Sequence, residues 1–284
     1  MHPPLTYAAR FGVEGEALAA AAAAMLEETI VLEGPETIAA FITEPIMLSA
    51  GVRVPPPGYL ERIRTICDRY DILLIFDEII TGFGRTGHLL ASNLFGVAPD
   101  LLCFGKGVSG GYAPLSGVLI QERVARTFWG EIDENVQFRA GHTYAGNPVA
   151  CAVGLAAVSE LLDRDLVGNA RRMGALLKER LWALGDKHAC LVEVRGEGLL
   201  LAVEFAQDRD TREPFPESVK FGTRVHRAAR ARGLLIREGP NFVVLAPPLV
   251  IDESDVDEIV GLLDQAIGDA VQSVSVSAAT VARA

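Results

Sequence analysis

Leu101-Leu102-Cys103-Phe104-Gly105-Lys106-Gly107-Val108-Ser109-Gly110-Gly111 opens as a short apolar run and closes as a glycine-rich turn, with one lysine between two glycines. A second run, residues 72–76, ends in the acidic pair Asp77–Glu78. Short apolar runs bounded by turn residues predict buried strands. In an α/β sheet the carboxyl ends of parallel strands converge on one crevice. This reading brings one amine and one carboxylate to a common site. Taken alone, Lys106 fits two descriptions. It is either a surface lysine in a turn or an amine held in a largely dry pocket, nucleophilic enough for a Schiff base. Asp77 alone reads equally as a helix cap or a solvated carboxylate.

Outward from these strands the chain alternates. Residues 1–12 carry no periodicity and predict a loop or leading arm. The alanine-rich residues 14–32 predict a helix, ended by Gly34–Pro35. Residues 37–43 predict a strand ending at Glu44–Pro45, residues 58–70 a helix, and residues 81–87 (TGFGRTG) a glycine-rich loop. Residues 99–104 and 115–120 add two strands. This alternation predicts a doubly wound α/β domain with a mostly parallel sheet. Residues 137–147 form a polar loop. Asn147–Pro148 then predicts a helix start, with Asn as the cap and Pro in the first turn, and that helix runs to about Leu162. An amphipathic helix fits residues 166–184.

Beyond Leu191 the character changes. Strands fit residues 191–194, 199–205, 234–236 and 242–246, and helices fit 216–232 and 252–267. These make a small α+β domain. The sequence thus divides into a large domain at 1–187, a small carboxyl-terminal α+β domain at 188–272, and a frayed tail at 273–284.

The chain has 284 residues, half of them apolar, and a net charge of −11, which argues against nucleic acid or an anionic membrane as partner. Its four cysteines show no metal-binding spacing. Three of them lie in apolar or helical patterns and read as reduced thiols of a cytosolic protein. No signal peptide is read at the amino terminus.

The pairing of Asp77 with Lys106 meets the needs of pyridoxal phosphate (PLP). That cofactor takes a carboxylate on its pyridine nitrogen and a lysine for its internal aldimine. Ile42-Thr-Glu-Pro-Ile46, Ile75-Phe-Asp-Glu-Ile-Ile-Thr-Gly-Phe-Gly-Arg-Thr-Gly87, Phe104-Gly-Lys-Gly107 and Gly141-His-Thr-Tyr-Ala-Gly-Asn-Pro148 stand in the order and spacing of class III aminotransferases. The sequence resembles that family of fold-type I PLP enzymes from about Gly34 to Ile267, through Val194-Arg-Gly-Glu-Gly198 and Ala246-Pro-Pro-Leu249.

The resemblance implies a role for each matching residue. Asp77 pairs with the pyridinium nitrogen, Ile79 packs on the ring, and Lys106 forms the aldimine and then acts as general acid–base. Thr143 bonds the phosphate from a neighbouring subunit, which implies a homodimer with shared active sites. Glu44 matches a glutamate that, in some members, pairs with an arginine gating substrate carboxylates; Val244 occupies that arginine's place. Arg237 matches the mobile carboxylate-binding arginine of the ω-type, amine–pyruvate branch, and its guanidinium suits that task. The implied reaction passes an amino group from an amine or ω-amino acid to a keto acid such as pyruvate, in the cytoplasm. His142 and Arg85 are assigned no chemistry.

The family's amino-terminal phosphate-binding and aromatic motifs are not visible in residues 1–33. The sequence is therefore expected to be the carboxyl-terminal two-thirds of such an enzyme, with an incomplete large domain. A non-catalytic remnant or dimerising partner is the alternative, with aminomutases and decarboxylases of class III as further possible activities.

Overall fold

The computed structural model describes residues 12–281, with side chains to residue 274. The arm expected at residues 1–12 lies outside the described residues except for Gly12, as does the end of the tail beyond 281. The chain forms two compact units. One holds the described residues to Ile46, with Val54–Gly84 and His88–Arg164. The other holds Met47–Arg53, Arg85–Gly87 and the described residues from Asp165 onward.

In the first unit, helix α1 (Gly15–Glu33) is followed by strand β1 (Ala40–Thr43), helix α2 (Tyr59–Arg69) and strand β2 (Leu73–Asp77). The short helix α3 (Ala91–Phe95), strands β3 (Leu101–Phe104) and β4 (Gly117–Ile120), the one-turn α4 (Glu122–Ala125) and α5 (Pro148–Asp163) complete it. The sheet order is β1-β2-β3-β4, with β1, β2 and β3 parallel and β4 antiparallel. The chain is thus α/β with a mostly parallel sheet. Apolar residues three and four apart on α1 (Leu18, Ala22, Leu26, Ile30) and α2 (Leu60, Ile63, Ile66, Cys67) face the sheet, where Leu74 and Phe76 are fully buried. Alternate β2 residues Leu73 and Ile75 are only half-buried. Asn147 caps α5 as predicted, its Oδ1 accepting the Val149 and Ala150 N–H groups at 3.0 and 3.1 Å.

The second unit contains α6 (Leu166–Ala183), β5 (Leu191–Glu197), β6 (Leu200–Phe205), α7 (Phe221–Ala231), β7 (Arg237–Glu238), β8 (Phe242–Leu245) and α8 (Glu253–Val281). Its sheet, ordered β5-β6-β8-β7, is antiparallel throughout. The three helices share one core with it, built from Leu177, Leu181, Leu201, Val203, Phe205, Phe221, Leu263 and Ile267 among others.

Four details differ from the sequence-based expectation. The continuous part of this unit begins at Asp165, not near 188, because Ala170, Met173, Leu177 and Leu181 bury the apolar face of α6 in this core. Helix α7 starts at Phe221 instead of 216, since Lys220 adopts a left-handed backbone (φ 49°). The strand expected at 234–236 forms at Arg237–Glu238, because the Leu234 N–H is still tied to the Ala229 carbonyl at 3.0 Å. Helix α8 continues to Val281, where a frayed tail is expected from 273. Ala270 is buried, Arg232 pairs with Asp269 at 2.6 Å, and Arg224 bonds the Ser273 hydroxyl at 2.9 Å. Among the described residues no helix is long and apolar enough to cross a membrane.

Candidate active site

Strands β2 and β3 run parallel, with Asp77 opposite Cys103, and the Glu78 N–H bonds the Cys103 carbonyl at 2.9 Å. Lys106 follows three residues later, at the start of a 3-10 turn, Lys106–Ser109. Asp77 and Lys106 therefore stand at the carboxyl ends of adjacent parallel strands. The half-buried Asp77 accepts the Ile79 N–H at 3.0 Å through Oδ1. Burial, and then the Asp77 charge, push the Cys103 thiol pKa up. Thr43 pairs with Phe76, so Glu44 stands level with Asp77 at the same end of the sheet.

Two faces of the Lys106 turn are packed closely. A Cβ placed on Gly105 would stand 3.6 Å from Ile79 Cγ2 and 3.5 Å from Ser116 Cβ. One placed on Gly107 would stand 3.0 Å from Phe83 Cβ and 3.4 Å from the Gly82 carbonyl. Phe83 meets Phe104 edge-to-face, with centroids 5.7 Å apart. From the other side α5 presents Gly154, whose missing Cβ would overlap Leu115 Cδ2 at 2.4 Å and touch the Val108 carbonyl at 3.6 Å. Lys106 itself is exposed in this chain, as the turn description of it has it and not the dry-pocket one, and its backbone is left-handed (φ 41°). The walls supplied by the described residues reach the glycines and stop short of the amine.

The remaining candidates lie elsewhere. Thr143 and His142 are exposed in a turn in which the Ala145 N–H bonds the His142 carbonyl at 2.9 Å. Arg237 belongs to the second unit, exposed on edge strand β7 and directly opposite Val244 on β8.

Arg85 is half-buried, and desolvation lowers its pKa. It donates to the carbonyls of Leu199 at 3.0 Å and Pro247 at 2.6 Å.

Some residues with definite roles carry no distinct sequence signal. Glu78 is fully buried and caps α3, accepting the Ala91 and Ser92 N–H groups, the latter at 2.8 Å. Asp100 is buried at the start of β3. A cleft of about 380 Å³ lined by Arg64, Asp68, Asp100, Gln121 and Arg123 lies there, at the opposite end of the sheet from Lys106. Gly154 had one available signal, since a glycine inside an apolar helix usually has a packing reason.

The aminotransferase class-III family model matches residues 3–267. The chain belongs to that family. This class III chain is 40% identical over 247 residues to the diaminobutyrate–2-oxoglutarate transaminase of Halomonas elongata, covering 86% of its own length and 53% of the relative's. It is 36% identical over 244 residues to gamma aminobutyrate transaminase 2 of Solanum lycopersicum, with the same coverages. The chain thus spans about half the length of the curated relatives it matches.

Among solved structures it resembles a thermostable (S)-enantioselective omega-transaminase from Thermomicrobium roseum. The TM-score is 0.86 at 42% identity, over 93% of this chain and 58% of that one. An amine transaminase from an uncultivated Pseudomonas species, solved in its PLP-bound form, gives a TM-score of 0.84 at 41% identity, over 90% and 58%.

The donor set suits PLP at two of its three attachment points. Among the described residues the second Asp77 oxygen has no hydrogen-bond donor, which suits a pyridinium N–H. A primary amine stands on the neighbouring strand end for the aldehyde.

Proposed function

We propose that this protein is a PLP-dependent aminotransferase that moves an amino group from an amine or ω-amino acid to a keto acid such as pyruvate. The observation that carries the reading is the placement of Asp77 and Lys106 at the carboxyl ends of adjacent parallel strands in a class III chain. PLP, when bound, supplies an aldehyde for the substrate amine and a protonated ring that takes up the electrons of the broken Cα–H bond. Asp77 accepts the ring N–H and its charge keeps the proton there. Ile79, beside Gly105, packs against the ring. Lys106 Nζ would hold the aldehyde carbon and, when free, would carry the proton from the substrate Cα to the cofactor C4′ carbon as general acid–base. The Thr143 hydroxyl bonds the phosphate across the interface of a homodimer.

Arg237 binds the substrate carboxylate in this reading. Directly opposite residues on antiparallel strands project to the same face. Arg237 and position 244 are such a pair, so an arginine at 237 presents its guanidinium on the side that an arginine at 244 would use. With Val244 unable to pair, Glu44 has at most a minor part in binding substrate. A cytoplasmic location is consistent with four free cysteines.

The test is direct. The purified chain is mixed with PLP and its visible absorption recorded. A lysine-bound cofactor band that is absent in Lys106→Ala is expected; no band in the unmutated chain sinks the proposal. A panel of amine donors with pyruvate then checks Arg237→Ala. Use of carboxylate-bearing substrates should fall while simple amines are little affected, and equal loss for both would reject the carboxylate role.

A further inference from the structure

Lys106 is a non-glycine residue with a left-handed backbone (φ 41°), set between two glycines and exposed. A lysine amine sits on a flexible four-carbon stem, so its aim depends on the backbone that carries it. Uncommon backbone conformations persist where the surroundings over-determine them. The surroundings here are specific. Gly107 lies so close to Phe83 that any Cβ on it would be 3.0 Å from Phe83 Cβ. Phe83 is itself left-handed (φ 54°), which is uncommon for an aromatic residue. Its ring meets Phe104, the residue before Gly105, at 5.7 Å and 64°. The Phe104 ring in turn occupies the space above Gly117 on β4, where a Cβ would lie 2.5 Å from its Cζ. Phe83 thus meets the Gly105–Lys106–Gly107 triplet at both ends: its Cβ stands against Gly107 after the lysine, and its ring packs on Phe104 at the strand end before it.

From this geometry we infer that Phe83 is a positioning residue for the Lys106 amine, acting through Gly107 and Phe104. The inference rests on the reading of Lys106 as the cofactor lysine. It gives the phenylalanine of the TGFGRTG loop a task distinct from that of Arg85 in the same loop.

The test measures how fast Lys106 captures PLP. The 284-residue chain is incubated with PLP, borohydride locks the cofactor onto the amine at timed intervals, and peptide mass spectrometry reports the fraction modified at Lys106. Small misplacements of a reacting group cost large factors in rate, so Phe83→Ala is expected to slow capture by about tenfold or more. Phe83→Tyr, which keeps the ring, should restore it to within about twofold of the unmutated chain. Gly107→Ala, which presses on Phe83, should slow it as well. Ile63→Ala, a buried α2 change in the same unit, is the control: it should lower the melting temperature without slowing capture by the folded protein. If Phe83→Ala does not fold, Phe83→Leu takes its place.

The outcomes separate. No capture at Lys106 in the unmutated chain overturns this inference together with the proposed function. Normal capture in the unmutated chain, with the Phe83 variant equally fast or the Ile63 variant equally slow, overturns the positioning role alone.

Discussion

Asp100→Ala should be among the most damaging single changes in the first unit. The carboxylate is 2% exposed. Its Oδ2 accepts the Leu74 N–H of β2 at 2.8 Å and the Arg64 guanidinium of α2 at 2.8 Å, and its Oδ1 accepts Arg123 of α4 at 2.5 Å. Alanine would leave the Arg64 charge and the Leu74 N–H without this acceptor. Removing one partner of a buried pair costs about 3–5 kcal/mol. Arg123, with its side chain 51% exposed, adds only about 0–1 kcal/mol after solvent screening. Arg64 keeps its pair with Asp68 at 2.7 Å, so the expected loss sits at the lower end of the buried-pair range, about 3 kcal/mol in all, against about 1–2 kcal/mol for Asp100→Asn, which still offers Leu74 an oxygen. Urea unfolding followed by circular dichroism reads this as a lower midpoint at unchanged slope. Burial by itself would raise the Asp100 pKa, but the Leu74 N–H and the two guanidinium groups outweigh it and hold the carboxyl below its usual range. Its stabilisation is thus complete above the unfolded carboxylate pKa and is lost as pH falls through the folded one. The gap between the unmutated chain and Asp100→Asn should narrow on acidification. A cost below about 1 kcal/mol for the alanine variant, or a gap that widens in acid, would refute the reasoning.

Three further outcomes are expected. Gly174→Ala should destabilise the second unit by about 1–3 kcal/mol or more, because its Cβ would lie 2.2 Å from the Gly198 carbonyl oxygen, a backbone atom with little room to move; thermal unfolding measures it. Asn147→Ala should cost about 1 kcal/mol by removing the cap of α5 while Asn147→Asp retains it, and equal effects of the two in urea unfolding would contradict the capping role. Iodoacetamide at pH 8 should label the exposed Cys151 first and Cys67 and Cys190 last, since burial pushes both of those thiols up to about 11; mass spectrometry with Cys67 labelled early would contradict this.

The elements that position the candidate site were legible because each carries its own local signal. The apolar runs before Asp77 and Lys106 are strands, and Asn147–Pro148 starts a helix, since strand burial and helix capping depend on neighbours in sequence. The misplacements have a different cause. Residues from 273 on are small and polar and look unstructured, yet α8 continues through them; Arg224 of α7 bonds Ser273 and Arg232, just after α7, pairs with Asp269, partners some 40 residues upstream in the chain. Helix α6 is amphipathic on either side of any boundary drawn near it; only the identity of the core it covers assigns it to a unit. At the site the same division holds. Asp77 and Lys106 could be chosen by residue type and spacing, whereas Phe83 acts through a contact with a glycine that no spacing rule encodes.

For the TGFGRTG loop the sequence predicts a glycine-rich loop and assigns Arg85 no chemistry. In the structure its later residues serve chain-on-chain packing within the second unit. A Cβ on Gly198 would stand 2.4 Å from the Thr86 carbonyl carbon and 2.5 Å from the Gly87 nitrogen, and the Gly87 carbonyl accepts Arg171 at 2.8 and 3.0 Å. Arg85 completes the seam. Its carbonyl accepts the Leu199 N–H at 3.0 Å, and its guanidinium bonds two further carbonyls. A guanidinium stays charged even where burial opposes it, and several backbone oxygens can solvate it without a carboxylate. The arginine and the closing glycine of this motif are thus accounted for by backbone they touch, while Gly82 through its carbonyl and Phe83 through its side chain face the Lys106 turn.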